Sequence, residues 1–244
     1  MPPRSGRDDH WRMRIYRDRR EAGQALAHAL QDAAQSSPVV LGLARGGMPL
    51  AFEVAATLRA PLDVFVVRKL GVPWQPELAM GAIASGGVLV RNEDVLRNIP
   101  DAERALESVR LRESRELLAR ERRYRGSREA IPVQGRAVIV VDDGLATGAS
   151  MQAAVEALIQ AGAASVTVAV PVGPPETCVR LAGCADRVVC LQQPRDFMAV
   201  GQWYEDFGQT SEQEVTDLLA AAPPPEANFQ RDGAPRDSTP GSNG

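Results

Sequence analysis

Residues 138–150 read V-I-V-V-D-D-G-L-A-T-G-A-S, and the fold follows from this stretch. Val138, Ile139, Val140 and Val141 form an unbroken β-branched run, the pattern of a strand buried on both faces in a parallel sheet. Two carboxylates, Asp142 and Asp143, stand at its C-terminal end. A loop from Gly144 through Leu145, Ala146 and Thr147 to Gly148 then runs into an apolar-periodic helix over 149–160 that opens with Ala149 and Ser150. A helix start of this kind presents unpaired N–H groups and the positive end of the helix dipole to a phosphate, and the hydroxyls of Thr147 and Ser150 add donors. Paired carboxylates beside it suit ribose hydroxyls, directly or through Mg²⁺.

Two other phosphate motifs fail. A P-loop needs G-x-x-x-x-G-K-[ST], but Gly148 comes one position too early and Ala149 stands where the lysine belongs. No G-x-G-x-x-G follows any candidate strand, so a dinucleotide fingerprint is missing as well. An ordinary strand-to-helix turn would explain one Asp and one Gly, but not two carboxylates and two hydroxyls in register. The pattern resembles the PRPP-binding motif of the type I phosphoribosyltransferase family: a strand end, two acids, three variable positions, Thr-Gly, one more residue, then Ser or Thr. The likeness extends over about 15–220. It is closest to a bacterial subgroup of predicted phosphoribosyltransferases that share R-G-G, E-L-A-M-G-A and W-Y-E-D-F segments, here 45–47, 77–82 and 203–207.

Bulk properties narrow the function. The chain has 244 residues, 44% of them hydrophobic, enough for a substantial core in a single α/β domain. With 28 basic and 31 acidic residues the net charge is −3, so no global field points to nucleic acid or an acidic membrane. No apolar run is long enough to span a bilayer, and the Arg-rich start lacks a signal-peptide core, so a cytoplasmic location is expected. Cys178, Cys184 and Cys190 match no zinc spacing and read as small buried hydrophobes. The two histidines, His10 in the polar leader and His28 on a solvated helix face, leave no basis for a His-dependent triad or zinc hydrolase.

Along the chain, 1–12 read as a disordered leader, 13–222 as one phosphoribosyltransferase-like domain, and 223–244 as a Pro/Gly-rich disordered tail. A capping box at Asp18 opens a helix over 18–34. A strand–helix rhythm follows: strand 39–43, helix 48–58, strand 62–67, then strand 137–141, strand 166–170, a short helix near 176–181 and strand 187–191. Alternating elements with apolar strands predict a mostly parallel sheet with helices on both faces. An insertion over about 71–130 is expected to hold a hairpin, with 82–83 and 88–90 flanking Ser85-Gly86-Gly87, and a long Arg/Glu-rich helix over 101–125. That helix carries a loose apolar stripe of Ala102, Ala105, Leu106, Val109, Leu117 and Leu118, and is expected as a solvated or dimer-facing surface. Interleaved acids and the lack of aromatics before Tyr124 argue against an RNA-binding role.

A second loop, Arg45-Gly46-Gly47, follows the first core strand. Its glycines permit N–H groups to turn toward an anion, and Arg45 can pair a phosphate bidentately. The family resembled here has its pyrophosphate loop at this point. Lys69, after the strand over 62–67, is the only lysine in the chain, and the resemblance assigns a basic residue there to pyrophosphate as well. Farther on, Phe197, Trp203, Tyr204 and Phe207 gather in a segment, about 192–210, that the resemblance identifies as a hood over the base; Phe197, Trp203 and Tyr204 are the candidate stacking residues. The resemblance also places a flexible closing loop in 71–92. Oxopurine enzymes of the family usually have Asp directly before Thr-Gly; here the position is Ala146, as is common in adenine and uracil enzymes.

The resemblance therefore implies a Mg²⁺-dependent phosphoribosyltransferase of nucleotide salvage, with PRPP and a nucleobase-like molecule as its partners and no nucleic acid or membrane. Asp142 and Asp143 would serve the ribose and, directly or indirectly, the metal; 144–150 would hold the 5-phosphate, and Arg45, Gly46, Gly47 and Lys69 the pyrophosphate. A homodimer is an open expectation. A non-catalytic regulator that binds PRPP or a nucleotide is the alternative, and a nucleotide phosphatase or phosphorylase using the same cradle ranks behind it.

Overall fold

Alternation inside the apolar strands decides how the layers form. In the computed structural model, which describes residues 14–222, Val40 of β1 (Val39–Leu43) packs into a first core while Val39, Leu41 and Leu43 pack into a second. The strand over 137–141 divides the same way, with Val138 and Val140 on one side and Ile139 and Val141 on the other. A sheet with apolar side chains on both faces must be covered twice. On one side lie α1 (Arg19–Ala29) and α2 (Gly47–Leu58), which supply Leu26, Leu50 and Val54 to the first core. The expected leader over 1–12 and the tail over 223–244 lie outside the described residues.

The central sheet has five parallel strands in the order β2-β1-β6-β7-β8, with β2 at Leu62–Phe65, β6 at Ala137–Val141, β7 at Ser165–Val172 and β8 at Arg187–Gln192. The chain builds outward from β1 to β2, then crosses back to β6 and continues in the other direction. Strand order therefore reverses between β1 and β6, the crevice where ligands of open α/β sheets bind. The opposite face is covered by α5 (Ala149–Gln160) and α6 (Pro175–Ala182), whose Met151, Val155, Leu158 and Leu181 fill the second core.

Between β2 and β6 the chain forms a second, antiparallel sheet, β3 (Val67–Val72), β4 (Gln75–Ala84) and β5 (Val88–Arg91). The expected strand over 62–67 is thus two strands in two sheets. Val66 marks the exchange: its N–H bonds to the Ser85 hydroxyl at 2.9 Å and its carbonyl accepts from Ser85 N–H at 2.9 Å, so a hairpin turn takes the place of a sheet neighbour. That turn is the expected Ser85-Gly86-Gly87, with φ of 80° and 77° at the two glycines, a region open to them and costly for other residues.

The insertion continues through α3 (Glu93–Leu96) into α4 (Ala102–Arg125). Leu106, Val109, Leu117 and Tyr124 of α4 are buried, whereas Leu118, expected on the apolar stripe, is exposed along with Leu111. Rather than standing free, α4 is tied down by charge. Arg68 of β3 pairs with buried Glu113, and Arg125 pairs with Asp63 of β2 at 2.8 Å. The first helix is shorter than the sequence predicts. The backbone tightens at Leu30, whose N–H bonds three residues back to Ala27, and a 3₁₀ turn, Gln31–Ser36, follows. A last helix, α7 (Glu212–Ala221), was not anticipated; it packs Val215 and Leu219 into the first core.

Candidate active site

The two loops at the switch point are in contact because glycines let them approach. A Cβ on Gly47 would collide with the Val141 carbonyl, and one on Gly46 would collide with the Asp143 carboxylate. The R-G-G loop and the acid pair, far apart in sequence but at the ends of neighbouring strands, are thereby pressed together. The Ala44–Arg45 peptide is cis. Arg45 is partly exposed and its side chain, among the described residues, makes no ion pair or hydrogen bond, so the guanidinium is available to an anion.

Asp142 and Asp143 follow β6 without a break in the chain. Asp143 N–H donates to Asp142 Oδ1 at 2.9 Å. Desolvation, with Asp143 beside it, pushes the Asp142 carboxyl well above the usual carboxylate range. Burial also pushes Asp143 up, against the pull of the Arg19 guanidinium, whose Nε and Nη2 both donate to Asp143 Oδ2 at 2.9 and 2.8 Å. Among the described residues no three His, Cys, Asp or Glu side chains are grouped to hold a metal ion. Two carboxylates fit Mg²⁺, which typically keeps several waters and is held by one or two carboxylates plus substrate phosphates.

The loop 144–148 is wedged from below and gripped from the side. Leu145 is buried, its N–H bonded to the Val172 carbonyl at 2.9 Å, and Gly144 lies against Val200 of the hood segment. Thr177 of α6 donates its hydroxyl proton to the Ala146 carbonyl at 3.2 Å, and Arg180 of the same helix donates to the Thr147 carbonyl. Gly148, with φ of 70°, turns the chain into α5. Ala146, Thr147, Ala149 and Ser150 are left exposed at the helix start, as a phosphate cradle requires.

Lys69 lies inside a strand rather than just after one. It is the third residue of β3, half-exposed, with Nζ donating to the Glu77 carbonyl and 3.5 Å from the Glu77 carboxylate. It lines a cleft of about 920 Å³ between the antiparallel sheet and α5, whose wall includes Thr147, Ala149 and Ser150 but none of 45–47. Lys69 thus shares this cleft with residues of the phosphate loop.

In the segment expected as the hood, most of the aromatic rings turn inward. Trp203 and Tyr204 are buried in the first core, and Phe197 packs partly against it. Tyr204 lies between Tyr16 and Phe207, with ring centroids 5.9 and 5.0 Å away, and donates its hydroxyl proton to the Asp143 carbonyl at 2.6 Å. Burial, with Asp143 nearby, raises the Tyr204 hydroxyl and keeps it a donor. Phe207 is the one exposed ring of the four. Sequence reasoning missed Arg19, Thr177 and Arg180: each lies on a helix distant in sequence from the loop it touches, and no local pattern sets these arginines apart from the others.

A sequence profile described as "Phosphoribosyl transferase domain" matches residues 15–206. The chain belongs to the phosphoribosyl transferase family. Among its relatives are the proteins named "Putative phosphoribosyl transferase" in two strains of Mycobacterium tuberculosis, H37Rv and CDC 1551, each 50% identical over 210 residues. Those matches cover 86% of this chain and 47% of the relative, so the chain spans about half the length of the curated relatives it matches. The crystal structure of TT1426 from Thermus thermophilus is 47% identical, with a TM-score of 0.77, and the match covers 85% of this chain and 98% of that one. The mostly parallel five-stranded sheet with helices on both faces described above is the fold expected of this family. No described helix of the chain is long and apolar enough to cross a membrane.

Proposed function

We propose that the chain transfers the 5-phosphoribosyl group of PRPP to a nucleobase-like nitrogen nucleophile and releases pyrophosphate. The observation that carries this reading is the meeting of three parts at one switch point: the R-G-G loop against Asp143, the acid pair, and an exposed phosphate cradle at the start of α5. In this reading Asp142 and Asp143 accept hydrogen bonds from the ribose hydroxyls, and Gly144 to Ser150 hold the 5-phosphate. As the acceptor nitrogen bonds to C1, the bond from C1 to the pyrophosphate oxygen breaks, and negative charge builds on the leaving group. Arg45, with the backbone of Gly46 and Gly47, faces that charge where fixed donors are most effective. Mg²⁺, held by Asp142 or Asp143 with the substrate's own oxygens, would neutralise part of it. Of the hood rings Phe207, rather than buried Trp203 or Tyr204, keeps an exposed edge for a base, its ring already stacked on Tyr204 and contacted by the Arg19 guanidinium.

The test is pyrophosphate release from PRPP with Mg²⁺ under a panel of bases. Ala146 puts no carboxylate in front of Thr147, so hypoxanthine and guanine should turn over about tenfold or more slowly than adenine or uracil, the scale of one hydrogen bond to a charged group. Efficient turnover of guanine would overturn the specificity reading. PRPP binding without turnover of any base would favour a regulatory protein.

Lys69 gives a second test that needs no mutation. An amine-selective acylating reagent has one side-chain target in this chain, and mass spectrometry can follow it. Since the cleft joins Lys69 to Thr147 and Ser150, ribose 5-phosphate should slow its acylation severalfold, and pyrophosphate with Mg²⁺ should do less. Strong protection by pyrophosphate alone would return Lys69 to the leaving-group subsite.

A further inference from the structure

Arg19 opens α1 and lies 124 residues from Asp143, yet the full hydrogen-bonding edge of its guanidinium is committed at the acid pair. Nε and Nη2 converge on one oxygen, Asp143 Oδ2, and Nη1 donates to the Gly208 carbonyl at 2.5 Å. The guanidinium carbon also stands 4.1 Å from the centre of the Phe207 ring. The two side chains are only 12% and 15% exposed, so this is no solvated surface pair. The backbone leading to Arg19 is stitched to the hood as well. Tyr16 N–H bonds to the Trp203 carbonyl at 2.9 Å, Glu205 N–H to the Tyr16 carbonyl at 2.8 Å, and Asp206 N–H to the Arg17 carbonyl at 2.9 Å.

A cation fixed on Asp143 Oδ2 changes what the pair can take. Asp142 Oδ1 is already engaged by the Asp143 N–H, and Asp143 has only Oδ1 left without a charged partner. A hydroxyl needs one acceptor. A divalent ion that must shed water needs more negative charge than a pair already half neutralised supplies. The same guanidinium links that carboxylate to Phe207 and Gly208, so the ribose site and the hood share one residue.

We propose that Arg19 is a positioning residue that serves as an internal cation: it reserves Asp142 and Asp143 for hydroxyl groups, prevents the pair from loading a divalent ion by itself, and fixes the hood at 207–208 against Asp143. Only the PRPP arm of the test below rests on the phosphoribosyl reading.

The experiment uses the full chain with Mn²⁺ alone as the probe, followed by electron paramagnetic resonance, together with hydrogen exchange of the hood. Arg19→Gln should bind Mn²⁺ at least tenfold more tightly than the wild type. Adding Asp143→Asn to that variant should remove the gain. Exchange at 206–208 should quicken in Arg19→Gln. Arg19→Lys, which keeps the charge but lacks the planar fork, should hold Mn²⁺ affinity low while exchange at 206–208 still rises. PRPP with Mg²⁺ should bind Arg19→Gln at least tenfold more weakly. A folded Arg19→Gln that binds Mn²⁺ no better than wild type, or a gain that survives Asp143→Asn, overturns the proposal. Should the glutamine variant not fold, unchanged exchange at 206–208 in Arg19→Lys overturns it instead. A wild type that binds no PRPP counts against the proposed function alone, and the Mn²⁺ and exchange results still decide the role of Arg19.

Discussion

Arg125→Met is expected to lower the unfolding free energy by about 3–5 kcal/mol, the usual cost of leaving a buried charge without its partner. Arg125 and Asp63 side chains are 10% and 6% exposed, and Nε stands 2.8 Å from Oδ1. The same guanidinium donates to the Val64 carbonyl at 2.9 Å and lies 3.2 Å from buried Glu121. Asp63 in turn accepts from the N–H groups of Val64 and Ile131 at 2.7 and 3.0 Å. One side chain thus closes the end of α4 onto β2 and the segment that follows. Methionine fills similar volume but leaves Asp63 and Glu121 as two desolvated carboxylates facing each other's field. For a domain of this size the loss corresponds to a fall in Tm on the order of 10 °C. Removing the charges together, with Asp63→Asn and Glu121→Gln added, should restore more than half of it, because an uncharged site carries no unpaired ion. Urea unfolding of the wild type, the single variant and the triple variant measures this. A single variant within about 1 kcal/mol of wild type would show the pair to be solvated and the packing of α4 to be misjudged.

This network also shows which parts of the molecule the sequence could express. The central sheet was legible because Val39–Leu43 and Ala137–Val141 are continuous apolar runs, and only a strand covered on both faces needs that pattern. The D-D-x-x-x-T-G loop was legible because its chemistry is local: every residue that makes the cradle lies within a few positions of the next. The antiparallel sheet was only half legible. Ser85-Gly86-Gly87 announced the hairpin, but β3 carries Arg68, Lys69 and Gly71, and β4 begins Gln75-Pro76-Glu77, so neither edge shows alternation. The helix α7 had a readable signal, Ser211 followed by Glu214, and Ser211 does cap the Glu214 N–H at 3.0 Å. What no local pattern could give was partnership at a distance. Among so many arginines, nothing in the sequence distinguishes Arg19, committed to Asp143, or Arg125, committed to Asp63, from those that line the solvated face of α4. In the hood, aromatic clustering was visible, but which rings turn inward depends on the β-bridge between Tyr16 and Tyr204.

The second large effect concerns the acid pair, where stability and binding should move in opposite directions. Replacing Asp142 and Asp143 together by asparagine keeps shape and one acceptor per side chain but removes both charges. Hydrogen bonds to a charged group contribute about 1.5–3 kcal/mol each, so PRPP affinity should fall about 100-fold or more. Asp142→Asn alone should at the same time make the fold more stable near neutral pH. Desolvation and the neighbouring Asp143 raise the Asp142 carboxyl well above its ordinary value of 3.8. A carboxyl whose folded pKa lies above its unfolded one binds its proton more tightly in the folded state, so the stability it confers is present below 3.8 and is lost as pH rises through the folded value. Wild type must ionise this desolvated group as the solution approaches neutrality; the asparagine variant does not. The difference in Tm between the two should therefore be small at about pH 3.5 and widen in favour of Asp142→Asn toward about pH 7. Melts across that range and calorimetric titration with PRPP–Mg²⁺ decide the matter. Parallel pH profiles would show that Asp142 is not desolvated as described, and unchanged PRPP affinity in the double variant would move the ribose site elsewhere. If both results come out as expected, the end of β6 holds a carboxylate that the fold alone would be better without, and its retention is accounted for by the ligand it receives.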